Sequence, residues 1–199
     1  MTRSRQTADW GSRAGLAKIV PSSVAVGSGT GSSDTLGNVT FSGASSVSLN
    51  DVFSATYKNY IMKININSTS GSDANVLLRM RVSNADNSTA NYFDRFNGYT
   101  DFNATDNFRR SSQTAFFIGD TDGATSNPTY TSMNVEFRNP FETIATTTFV
   151  DINDVVAASS ATATYRGGGL FYGTTSFTGF TVYVSAGNIT GTLFVYGYN

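Results

Sequence analysis

Three aspartates, Asp94, Asp101 and Asp106, fall in one stretch of chain with the rings Tyr92, Phe96 and Tyr99. Carboxylates accept hydrogen bonds from sugar hydroxyls, and aromatic rings stack on the apolar faces of sugars. The six residues therefore form a candidate ligand-binding group for a glycan. Hydrolysis would ask for more: two carboxylates at a defined separation, one of them with a raised pKa. Spacing along the chain does not supply that pair. A structural account competes with both, because Asx side chains cap turns and rings fasten a loop to the body beneath it.

Few other residues are equipped to carry a reaction. The chain has neither histidine nor cysteine. The usual general base and commonest metal ligand are thus missing, as are Ser-His-Asp and Cys-His arrangements and any disulfide. Asp120-Thr121-Asp122-Gly123 has the opening of a D-x-D-x-D-G calcium loop but lacks its third acid and later glutamate. Asp-Gly is also a strong turn signal. Gly167-Gly168-Gly169 is not followed by the Gly-Lys-Ser/Thr of a phosphate loop, and marks a bulge, a corner or a close backbone contact. The basic pairs Arg79/Arg81 and Arg109-Arg110 suit acids on a neighbouring strand or subunit. They are not the broad basic and aromatic face that nucleic acid requires. The expectation is a protein that is not an enzyme and uses no metal, cofactor or nucleic acid.

The elements that position these groups are strands. Val76, Leu78, Met80 and Val82 share one parity, and Arg79, Arg81 and Ser83 share the other. Tyr60, Met62, Ile64 and Ile66 alternate in the same way. Side chains alternate across a strand, so each segment has one apolar and one wet face. The turn-rich residues 68–74 between them predict an antiparallel hairpin. Val39 to Phe41, Ser46 to Leu49, Thr114 to Ile118, Met133 to Phe137, Thr146 to Ile152 and Ala161 to Tyr165 read as further strands. Phe180, Val182 and Val184 alternate up to Ser185-Ala186-Gly187-Asn188, a predicted hairpin turn. Residues 84–112, dense in Asn and Asp with scattered rings, read as a long decorated loop. About ten strands at short spacing predict an all-β fold, an antiparallel β-sandwich of jelly-roll type.

Leu193, Phe194, Val195, Tyr196 and Tyr198 make the last strand apolar on both parities. Such a strand is covered on both faces, which predicts a subunit interface there and a homotrimer. A length of 199 residues suits one domain with a short appendage. Charged residues make up 14% and the net charge is −1. That balance gives no strong field for nucleic acid and favours association of a free monomer. No apolar run approaches a membrane span, and no apolar segment follows Arg3 and Arg5 as in a secretory signal.

Residues 1–20 stand apart. They contain Arg3, Arg5, Arg13, Lys18 and Trp10, the one tryptophan of the chain, and Pro21 closes them. They read as an anchor that docks through Trp10, Arg3, Arg5 and Arg13. Residues 21–38, rich in Ser and Gly, read as a linker, and 39–199 as the β-domain.

Two segments carry a resemblance. One runs from Ser48 to Tyr60, SLNDVFSATYKNY; the other joins Gly179-Phe180-Thr181-Val182-Tyr183 to GNITGTLFVYGY at 187–198. Together they resemble small structural proteins and fibre-tip domains of tailed bacteriophages, marine and cyanobacterial ones among them, over about Phe41 to Tyr198. In that family an opening strand of the form sFsaTYxNYxI and a closing strand of the form GNITGTxxVYGY frame a variable middle. The resemblance implies a virion component, a tail fibre or receptor-binding piece, commonly trimeric, with no catalytic residues. The leading expectation is a virion-located, N-terminally anchored tail fibre or fibre-tip adhesin that attaches to host surface glycan. A capsid decoration (cement) protein and a glycan-active enzyme are the alternatives.

Overall fold

Period-two alternation becomes strand throughout the computed structural model, which describes residues 15–70, 74–100, 104–121, 130–156 and 161–199, with backbone alone at 100, 104–106, 155, 156, 161 and 162. The described chain has sixteen strands and no helix: β1 (Ala17–Ile19), β2 (Ser23–Val26), β3 (Thr30–Ser33), β4 (Val39–Ala44), β5 (Ser46–Asn50), β6 (Asn59–Ser70), β7 (Ala74–Val82), β8 (Ala85–Asp86), β9 (Tyr92–Thr100), β10 (Ala104–Gln113), β11 (Phe116–Thr121), β12 (Thr131–Arg138), β13 (Thr146–Val156), β14 (Ala161–Phe171), β15 (Gly179–Val184) and β16 (Asn188–Tyr198). The larger sheet runs β10-β9-β14-β13-β12-β6-β16-β4-β3, with β1 added on β16. The smaller runs β11-β7-β15-β5-β2, with β8 added on β7. Every pairing is antiparallel.

The protein is an all-β antiparallel sandwich. In it β5-β15-β7-β11 opposes a layer containing β6, β12, β9 and β10, with β13 and β14 inserted between β12 and β9. The chain repeatedly changes sheet between consecutive strands, as in jelly-roll-like sandwiches. The inner faces meet in one core. Met62, Ile64, Ile66, Val135 and Leu193 from the larger sheet and Leu49, Val76, Leu78, Met80 and Val182 from the smaller are fully buried. Each such side chain contributes roughly 1.5–3 kcal/mol relative to exposure.

Four expectations need correction. First, β6 and β7 are not a hairpin. β6 pairs with β12 and β16, and β7 with β11 and β15. Both strands face the same core, but from opposite sheets, and alternation alone is identical in the two cases. Second, β15 and β16 part company in the same way, so residues 185–187 are also a crossover. Third, residues 21–38 are not a linker: β2 pairs with β5, and β3 with β4. A Ser/Gly sequence has little β-propensity, yet an edge strand gains its hydrogen bonds from its neighbour, and Val24 and Val26 pack on the core. The segment assigned as anchor also enters the sheet before residue 20, through β1 on β16. Fourth, residues 84–112 are largely the hairpin β9–β10, not a loop.

Candidate functional site

The proposed glycan residues divide by strand parity. On β9, Tyr92, Asp94, Phe96 and Gly98 point inward and Phe93, Arg95, Asn97 and Tyr99 outward. The Tyr92 hydroxyl donates to Asn87 O at 2.7 Å and accepts the Met80 N–H at 3.1 Å. Burial pushes its pKa well above the usual tyrosine range. Phe96 is 1% exposed and stacks on Phe108 with ring centroids 5.2 Å apart. Asp94 accepts the Phe117 N–H at 2.9 Å and receives Arg110 Nε at 3.0 Å and Nη2 at 3.1 Å. Burial pushes its carboxyl up, opposed by the Phe117 amide and Arg110. The side chains of these three residues are engaged inside the protein, and Asp94 also borders the groove described below. Tyr99 is 66% exposed. Asp106 lies opposite Gly98 on the backbone ladder, its side chain outside the described set. Asp101, and the anchor residues Arg3, Arg5, Trp10 and Arg13, lie outside the described residues.

The final strand divides likewise. Leu193 and Val195 are buried in the chain's own core and present no surface for an interface. Phe194, Tyr196 and Tyr198 occupy the outer face and are half-buried. Lys18 of β1 lies 5.2 Å over the Phe194 ring, so the strand's second apolar face is covered in part by the chain's own first strand.

The outer face of the larger sheet instead carries a groove of about 720 Å³. The ladder registers build it. One row across the sheet reads Glu136, Phe149, Gly168, Arg95, Arg109; the next reads Arg138, Thr147, Leu170, Phe93. Gly168 leaves a gap in the first row. A Cβ there would lie 2.4 Å from Thr148 O, and one at Gly169 would lie 2.7 Å from the Phe116 ring. The register on both sides of Gly167-Gly168-Gly169 is unbroken, so the triplet marks close packing and not a bulge. The groove has an apolar floor of Phe149, Leu170 and Phe93 with an arginine rim of Arg95, Arg109 and Arg138.

One wall is built by a polar chain. The Arg138 guanidinium lies 4.5 Å from the Phe149 ring centroid and donates to Glu136 Oε1 at 2.8 Å. The same oxygen receives the Tyr198 hydroxyl at 2.7 Å. Burial works against the Glu136 charge, but hydrogen bonds from Tyr198 and Arg138 prevail and hold its carboxyl below the usual range. Its contribution to stability is therefore present above the ordinary glutamate pKa and lost as pH falls through the lowered one. Burial, then the bond to Glu136, push Tyr198 up to about 12. Stability linked to its proton is present below the ordinary tyrosine value and lost as pH rises through about 12. Tyrosinate absorbance should show a late-ionising tyrosine that Tyr198→Phe removes. Ionisation of Tyr198 at its ordinary value would refute the contact.

Among the described residues no three acids converge as a metal cage. Sequence reading missed the groove because its members come from five strands between positions 93 and 170. The one local signal was the glycine triplet. No protein family, curated protein or solved structure matches the chain.

Proposed function

We propose that the chain is a non-enzymatic structural protein of a tailed bacteriophage virion, a tail fibre or fibre-tip adhesin that contributes to host attachment. The groove carries this reading: it is a concave, apolar-floored and arginine-rimmed site on the open face of a rigid sheet. Such sites bind ligands, and a rigid scaffold suits repeated attachment. The two phage-like segments support the virion setting. Assembly into a trimer, by contacts outside Leu193 and Val195, would multiply weak binding by avidity.

A second reading, capsid decoration, has its own support. Val20 and Leu36 are 50% and 69% exposed and adjoin, since Gly37 packs on the backbone of Ile19 and Val20. Such a patch beside the first strand suits docking on a larger body. Antibody-gold microscopy of virions separates the two. Label at the tail tip is expected for the adhesin, and label over the head supports decoration. Absence of label from particles overturns both.

A further inference from the structure

Arg95 of β9 and Arg109 of β10 are direct cross-strand partners, and both are exposed on the outer face. Like charges directly opposite each other on a sheet destabilise it. Among the described residues neither arginine forms a salt bridge, whereas Arg81, Arg110, Arg138 and Arg166 each do. The unneutralised pair sits at the end of the Gly168 gap, beside Phe149 and Leu170.

From this juxtaposition we infer that the groove binds an acidic saccharide. Its carboxylate seats between Arg95 and Arg109, and the apolar face of its ring rests on Phe149 and Leu170. This deepens the attachment reading and rests on it. Guanidinium groups grip carboxylates through paired hydrogen bonds. The next row on the same face, Asn134, Asp151, Arg166 and Asn97, adds side-chain donors and acceptors for hydroxyls. A peptide strand is disfavoured. The floor strand β14 is paired on both sides, with β13 and β9, so a strand could add only at the β10 edge, two strands from the Leu170 floor. A polyphosphate backbone is disfavoured too, because Glu136 and Asp151 interrupt the basic face.

The test uses the whole purified chain, with binding followed by calorimetry. Tetragalacturonate and a sialylated trisaccharide are the acidic probes; fully methyl-esterified tetragalacturonate and a neutral trisaccharide are the controls. At least one acidic probe should bind, with its neutral counterpart weaker by on the order of tenfold or more. Arg95→Ala with Arg109→Ala should abolish the difference while the melting temperature holds or rises, since a like-charge contact is removed. Equal binding of acid and neutral forms overturns the inference. So does acid binding that survives the double substitution, or stronger competition by inorganic phosphate than by free galacturonate, which would make this a phosphate site. Failure of both acidic probes to bind overturns it as well. None of these outcomes depends on where the protein sits on a virion, so the microscopy tests the attachment reading separately.

Discussion

Asp94→Ala is expected to lower the unfolding free energy by about 3 kcal/mol, near the lower bound for breaking a buried ion pair. The side chain of Asp94 is 1% exposed, and that of Arg110 is 22% exposed. Alanine would leave the Phe117 N–H without its acceptor and Arg110 without its counter-charge, although Arg110 would retain Ala115 O at 2.8 Å and some access to water. For a domain of this size that corresponds to a fall in melting temperature of roughly 6–12 °C. The pair itself is a different matter from its rupture. Taking both charges out of water is costly, which is why burial pushes the Asp94 carboxyl up despite its donors. Asp94→Leu combined with Arg110→Met should therefore recover most of the loss. Urea unfolding of the single and double variants measures this directly. A single variant within about 0.5 kcal/mol of the parent, the range of ordinary surface changes, would return Asp94 to the surface residues.

Asp94 also shows where sequence reading stops. A strand with an apolar inner face announces itself, and β6, β7 and β12 are legible for that reason. Their inward sets, Tyr60 to Ile66, Val76 to Met80 and Met133 to Phe137, are fully buried as expected, and Val82 at the end of β7 is half-buried. On β9 the inner face is Tyr92, Asp94, Phe96 and Gly98, while Phe93 and Tyr99 stand outside. A charge on the inner parity and rings on the outer one erase the alternation. The compensating partner, Arg110, comes from the next strand, and nothing local ties it to Asp94. The same blindness hides the groove. Arg95 and Arg109 become neighbours only through the β9–β10 register, and Phe149 and Gly168 only through β13–β14. Sheet membership is illegible for a further reason. An inward-alternating strand is equally content in either layer, so β6–β7 and β15–β16 read as hairpins although each pair divides between the two sheets.

The largest single-residue loss should come from Phe53→Ala, at about 3–5 kcal/mol. Phe53 lies between β5 and β6, outside any strand, and is 2% exposed. Its ring is 4.8 Å from Tyr60, 5.2 Å from Phe137 and 5.8 Å from Phe180, so it joins rings from both sheets at one end of the sandwich. Its amide donates to Thr178 O at 3.1 Å, and the Tyr60 hydroxyl donates to Ser54 O at 2.9 Å while accepting the Ser54 N–H at 2.8 Å. The segments from Ser48 to Tyr60 and from Gly179 to Tyr198 meet here. Leu49 pairs with Phe180 in one sheet and Tyr60 with Gly197 in the other, and Tyr57 packs where a Cβ at Gly197 would stand 2.4 Å from its ring. The residues of these two segments thus form the closing seam of the fold, apart from the groove on β9, β10, β12, β13 and β14. Phe53→Leu should cost less than Phe53→Ala, with an unchanged denaturant m-value if only stability is altered. Arg95, Arg109 and Phe149 lie on other strands and on the outer face, so Phe53→Ala protein held below its melting temperature should bind groove ligands as the parent does. A loss of binding without a loss of stability would place the seam in recognition and undo the division between scaffold and site.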